Sequence, residues 1–109
     1  MRIQITARHC DIGQDVKERA EELIERVKRF DPGLSSAEVV ITEEGRQYRA
    51  EGILHIDGKN HVVAQGEADD LMAALDLMYN RLSKILRRKR SAEKKHQASS
   101  RSDRIPETT

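Results

Sequence analysis

The sequence predicts an α+β domain of element order β-α-β-β-β-α, a four-stranded sheet with two helices on one face. Three observations predict it. Two stretches repeat apolar residues in steps of 4, 3, 4 and 3, which lines one stripe of a helix. The segments before and between them alternate apolar and polar residues as half-buried strands do. Asp57-Gly58-Lys59-Asn60 is a strong hairpin signal between two such segments.

Each element has its own warrant. Ile3, Ile5 and Ala7 alternate with Gln4, Thr6 and Arg8, a short half-buried strand. Asp11 or Gly13 opens the first helix, whose stripe is Val16, Ala20, Leu23, Val27 and Phe30. Asp31-Pro32-Gly33 ends it, because proline cannot continue the helical ladder and glycine suits the turn. Two β-rich segments follow, 37–44 and 46–57, parted at Glu44-Gly45, and 61–66 is the strand returning from the hairpin. Asp69 or Asp70 caps the second helix, with both carboxylates at its positive end. Its stripe is Leu71, Leu75, Met78, Leu82 and Ile85, with Leu86 adjoining. Past about residue 91 the apolar repeat stops, and the polar stretch to Thr109 is expected to be disordered in isolation.

Connectivity fixes the layers. A strand–helix–strand crossover makes the first two strands parallel, with a right-handed connection. The later strands pair as antiparallel hairpins, and two helices with one apolar stripe each cover the same sheet face. The opposite face is left to solvent. At 109 residues the chain supports one core. Residues 1–91 are therefore assigned to the domain and residues 92–109 to a basic tail.

Composition narrows the function. No apolar run approaches the roughly 18 residues that span a bilayer, and MRIQIT reads as a strand, not a signal peptide. The lone Cys10 cannot form an internal disulfide, which fits a reducing, cytoplasmic setting. The net charge of +1 hides a marked asymmetry. Residues 1–80 hold 10 Lys/Arg against 16 Asp/Glu, net −6, while residues 81–104 hold 10 against 2, net +8; Glu107 completes the total. Charge separated in this way points to a polyanionic partner at one end of the molecule.

The plain alternative is a solvated, solubilising tail, and cations stabilising a helix C-terminus account for two or three of these charges at a few tenths of a kcal/mol each. They do not account for all of them, since residues 77–92 contain no acid to pair with them. At about 100° per residue from Leu71, the core stripe spans ~320° to ~40°. Arg81, Lys84 and Arg88 fall at ~280°, ~220° and ~260°, and Arg87 at ~160°, all off the stripe. On the first helix, counted from Val16, Arg19, Arg26 and Arg29 fall at ~300°, ~280° and ~220°. Side by side, two such helices can bound a groove between cationic flanks. Only Phe30, Tyr48 and Tyr79 are aromatic, too few for a sheet that stacks single-stranded RNA. Recognition of structured RNA through backbone and shape fits better.

Enzymatic readings find little support. His9-Cys10-Asp11 places neighbours on opposing sides of a strand end, where a nucleophile and its base cannot meet. With a two- or four-residue hairpin loop, His55 and His61 are expected on opposite sheet faces, unable to share a metal. No phosphate-cradling glycine loop occurs. No catalytic residue, cofactor or metal is expected.

The segments QITARHCDIGQDVKERAEELIERVKRF and DLMAALDLMYNRLSKILRRKR resemble the ribosome hibernation-promoting factor family, which includes the ribosome-associated inhibitor and also carries the label of sigma-54 modulation protein. The resemblance covers roughly residues 1–91. Its most specific part is the signature opening the second helix, which Asp70, Ala74, Leu75, Asp76, Arg81 and Leu82 satisfy in kind, with departures at Met72 and Ile85. The resemblance implies binding to 16S rRNA of the small ribosomal subunit, in the tRNA and mRNA path of the 70S ribosome, and inhibition of translation by occlusion in starvation or stationary phase. It implies rRNA contacts at Arg26, Arg81, Lys84, Arg88 and Arg90; charge alone adds Arg87, Lys89, Lys94 and Lys95. It also implies a monomer when free, and for some short members cooperation with a ribosome modulation factor. The alternative reading is a protein-binding regulator, as the sigma-54 label suggests.

Overall fold

The structure is a computed structural model that describes residues 1–56 and 60–98, with Asn60 and 89–98 described by secondary structure alone. Its order is β1 (Arg2–Arg8), α1 (Gln14–Phe30), β2 (Leu34–Glu44), β3 (Gln47–Ile56), β4 (Asn60–Ala68) and α2 (Leu71–Ala98). The strands form one sheet in the order β1-β2-β3-β4, with β1 parallel to β2 and the other pairs antiparallel. The α+β class, the element order and the topology are those the sequence predicts. Two strands are longer than the periodicity marks: β2 begins at Leu34, and β4 continues to Ala68, while β3 falls within the predicted 46–57.

Local chemistry sets the helix ends. Helix α1 starts after Gly13 in extended conformation, and no side chain caps it. At its other end the Asp31 N–H donates to Val27 O at 2.7 Å, and Asp31 Oδ1 accepts from the Gly33 N–H at 3.1 Å, so the aspartate turns the chain where Pro32 forbids another helical bond. Lys28 Nζ donates to the Pro32 and Leu34 carbonyls and ties that turn to β2. Helix α2 is capped by Asp70, whose Oδ2 accepts from the Ala73 N–H at 3.0 Å.

Both helices pack on one sheet face, as their single stripes require. The core joins Val16, Ala20, Leu23, Ile24 and Val27 of α1 and Ala74, Leu75, Met78, Leu82 and Leu86 of α2 to Val39, Ile41, Ala50 and Leu54 of the central strands. The stripes sit slightly rotated from the predicted ones. Ile24 and Leu86 are fully buried, whereas Phe30, Leu71 and Ile85 are half-buried at the core's margin. Facing α2, Gly66 and Gly52 let the sheet approach closely. A Cβ at Gly66 would stand 2.5 Å from the Ala74 oxygen and 2.5 Å from the Met78 nitrogen.

Strand directions make the helices parallel. Each helix follows a strand that runs parallel to β2 and returns antiparallel to it, so α1 and α2 run the same way. They are also in step. Arg19 meets Asp76, and Phe30 lies beneath Arg87, each pair 57 residues apart, the same separation as the helix starts Gln14 and Leu71. Helix α2 therefore outruns α1 from Arg88 to Ala98, roughly 16 Å at ~1.5 Å per residue. The long dimension of 54 Å, against 28 and 19 Å for the others, reflects this overhang. Here the structure differs from the boundary at residue 91, which marks the end of the apolar repeat and not of the helix. Ser91 to Ala98 contains no Pro or Gly and is rich in Ala, Glu, Lys and Gln, residues that sustain a helix without packing. Residues 99–109 of the expected tail lie outside the described residues.

The hairpin overturns one expectation. Ile56 pairs with Asn60 across three intervening residues, so His55 and His61 are direct cross-strand partners on the same face. An odd loop length shifts the pairing by one position relative to the even loops assumed, and one position reverses the face. The two rings meet edge to face with centroids 4.5 Å apart on the open side of the sheet. Val63, 47% exposed, neighbours them there. Among the described residues no group of three or more potential metal ligands forms.

Candidate nucleic-acid interface

The cations of α1 and α2 fall into two surfaces, and the hydrogen bonds show which flank of each helix faces the other. Arg19 of α1 donates to Asp76 of α2 at 2.9 Å and to Glu22 at 2.9 Å. This places α2 against the flank of α1 that carries Arg19, Arg26 and Phe30. On α2, Asp76, Tyr79 and Arg87 define the flank that faces α1. The opposite flank overlies β4, because the Arg81 guanidinium donates to the Gln65 carbonyl of that edge strand at 2.6 Å.

A groove of about 430 Å³ lies between the helices, lined by Arg26, Arg29, Phe30 and Tyr79. Arg87 neighbours Phe30, its guanidinium 5.9 Å from the ring centroid. The groove's rim is partly neutralised. Arg26 reaches Glu22 at 3.3 Å, and the Glu22 carboxylate also holds Arg19. The hydrogen bond from Arg19 depresses the Glu22 pKa, and bonds to Glu22 and then Asp76 raise that of Arg19. Water screens exposed pairs of this kind, so they register the helices against each other more than they stabilise the fold.

The second surface is the β4-side flank of α2. Lys84 and Arg88 stand one turn apart there, exposed and without a hydrogen-bond or ion-pair partner among the described residues. Arg81 shares the flank but is tied to Gln65. The single shared groove between the two predicted cationic flanks is therefore corrected. Of the predicted set, Arg26 lines the groove and Arg87 lies beside Phe30 on the flank facing α1, while Arg81, Lys84 and Arg88 belong to the outer flank. The reason is handedness: the flank of α2 carrying Arg81, Lys84 and Arg88 is the one turned away from α1. Lys89, Arg90, Lys94 and Lys95 fall on the overhanging part of α2, and their side chains lie outside the described residues.

Phe30 and Tyr79 stand outside the expected site, and Arg29 is expected only as one cation of the α1 flank. Their types are visible in the sequence, but their convergence depends on which helix flanks meet. The His9-Cys10 motif has a structural role instead. His9 takes a left-handed φ of 60°, and the half-buried Cys10 thiol lies 3.8 Å from the Ile41 carbonyl that accepts from it.

A mixed four-stranded sheet that backs two parallel helices, both carrying cations on their exposed flanks, defines a small α+β module. Comparison with known proteins gives the family. Residues 3–94 match the model of the family described as sigma 54 modulation protein / S30EA ribosomal protein, and the chain belongs to it. It is 31% identical over 86 residues to a ribosome hibernation promoting factor of Azotobacter vinelandii, covering 79% of each chain. It is 33% identical over 98 residues to a ribosome hibernation promotion factor of Rhizobium meliloti, covering 88% of this chain and 51% of that one. The chain thus spans about half the length of the Rhizobium relative. Among solved structures, a ribosomal subunit interface protein from Coxiella burnetii superposes with a TM-score of 0.77 at 22% identity, covering 84% of this chain and 99% of that one, a likeness of fold. The N-terminal domain of Thermus thermophilus Protein Y gives 0.72 at 29% identity, covering 81% and 98%. This is a family of ribosome hibernation factors, binding proteins and not enzymes.

Proposed function

We propose that the protein binds 16S rRNA of the small ribosomal subunit, within the tRNA and mRNA path, and inhibits translation by occlusion under starvation or in stationary phase. The observation that supports this most is the pair Lys84 and Arg88, exposed and unpartnered among the described residues, on a helix with no acid from 77 to 92. Like charges one turn apart cost a helix about 0.2–0.5 kcal/mol, a cost that a bridging phosphate removes. The free protein acts as a monomer in the cytoplasm, and Lys89, Arg90, Lys94 and Lys95 add affinity from the overhang. Family membership supports the ribosome as the source of the phosphates.

Sedimentation with 30S and 70S particles tests the reading. Each phosphate contact lowers log K by about 0.7–0.9 per decade of salt. Three contacts, at Lys84, Arg88 and Arg29, therefore give about a 20- to 40-fold loss between 50 and 200 mM salt. Reversing Lys84→Glu and Arg88→Glu together should release the protein from ribosomes with its circular dichroism unchanged. Normal binding by a folded double variant shows that the assigned face is wrong. Capture of a protein partner that survives RNase and high salt instead favours regulation of a transcription factor.

A further inference from the structure

We propose that the groove between α1 and α2 is a nucleobase site: Phe30 and Tyr79 stack an unpaired base while Arg29 and Arg26 hold the phosphate beside it. The proposal rests on the RNA-binding reading above and specifies what one part of the surface recognises.

The groove combines features that a phosphate-only surface does not need. Two of the protein's three aromatic residues line it, one from each helix, while the third, Tyr48, belongs to β3. Both are half-buried. Their positions are fixed by the packing of helices held in step, so the floor is preformed. Its volume of about 430 Å³ lies within the ~300–1,000 Å³ of clefts that take small ligands. Arg29 lines it with no hydrogen-bond or ion-pair partner among the described residues. Arg26 spends one contact on Glu22 at 3.3 Å, a long bond that leaves donors over. The Arg87 guanidinium lies 5.9 Å from the Phe30 ring centroid and adds a third positive charge beside the groove. A flat π-system flanked by guanidinium groups is the combination that binds a base together with its phosphate. Inorganic phosphate alone has no use for the aromatic floor, and an apolar peptide has none for the arginines.

The same chemistry has two sources, a base bulged from a folded RNA and a free nucleotide, and the test separates them. Binding is measured by fluorescence anisotropy with two labelled RNA hairpins that differ only in one bulged adenosine, and by calorimetry with AMP and with ribose 5-phosphate. The bulged hairpin is expected to bind about 5- to 150-fold tighter than the paired one, the range that stacking of a single base gives. Tyr79→Leu should erase that preference, Tyr79→Phe should keep it, and Arg29→Gln should weaken both hairpins alike. Binding of AMP, absent for ribose 5-phosphate, with no preference between hairpins assigns the site to a free nucleotide. Equal binding of the two hairpins with no binding of AMP overturns the nucleobase site and leaves the phosphate-binding reading standing. Binding of neither hairpin at low salt overturns both. The comparison of hairpins on the unaltered protein decides the matter even if Tyr79→Leu fails to fold.

Discussion

Replacing Gly66 by alanine tests the placement of α2, which carries more cations than any other element. Gly66 is buried in β4, directly beneath α2. An added methyl would lie 2.5 Å from the Ala74 carbonyl oxygen, 2.5 Å from the Met78 nitrogen and 2.6 Å from Leu77 Cβ, where ordinary contact begins at 3.4 Å. Two of these atoms are backbone, and none can rotate away. The strand and helix must part by about 1 Å, in an interior packed like a crystal. Overpacking costs about 1–3 kcal/mol, and backbone obstruction puts Gly66→Ala at the upper end, about 3 kcal/mol. A domain this size has about 5–15 kcal/mol in all, so the loss is a large share of it. Gly52 supplies the contrast. A methyl there meets Leu82 Cδ1 at 2.8 Å and Met78 Sδ at 3.0 Å, the ends of flexible side chains. Gly52→Ala should cost about 1 kcal/mol. Urea unfolding followed by circular dichroism measures both. A Gly66→Ala variant within about 0.5 kcal/mol of the parent, the range of an inconsequential surface change, refutes the close approach. So does one less damaged than Gly52→Ala.

Further outcomes follow from the charges. The Glu22 pKa is depressed by Arg19, so that contact stabilises the fold at pH above the ordinary glutamate value and is lost as pH falls through the lowered one. Arg19→Gln should accordingly lower the thermal midpoint at neutral pH and have no effect in strong acid; a shift of equal size at both pH values shows that the contribution is not this ion pair. Arg81→Ala should weaken ribosome binding less than Arg88→Ala, because Arg81 is bonded to Gln65, and should promote self-association through the uncovered β4 edge. Equal losses of binding with concentration-independent sedimentation contradict that account. Deleting residues 92–109 removes the last seven residues of α2 together with the tail and should reduce ribosome affinity without abolishing it; complete loss in a co-sedimentation assay shows that the part of α2 up to residue 91 does not suffice.

Element order was legible because two different periods, 2 and 3.6, are written into adjacent segments and each leaves only one face to bury. Val16, Ala20, Leu23 and Val27 became core as their spacing required. Relations between elements were not legible in that way. Nothing in a single helix states which flank meets a neighbour, so the separation of Arg87 from Arg81 and Lys84 had to come from the packing. The His55–His61 pairing turned on one residue of loop length, a difference no composition reports. The extension of α2 to Ala98 was hidden for another reason. Residues 91–98 carry no apolar period to detect, only the helix propensity of their residue types.

That overhang gives the molecule two widths. The backbone measures 28 by 19 Å across its long axis, while a single helix is about 10–12 Å thick. A cleft of intermediate width excludes the body and admits the rod, so insertion stops where α1 ends, at the level of Phe30 and Arg87. Depth is then metered by chain length, each residue removed from the end of α2 shortening the reach by ~1.5 Å. The domain behaves as a gauge with a built-in shoulder, and the nucleobase groove sits at that shoulder.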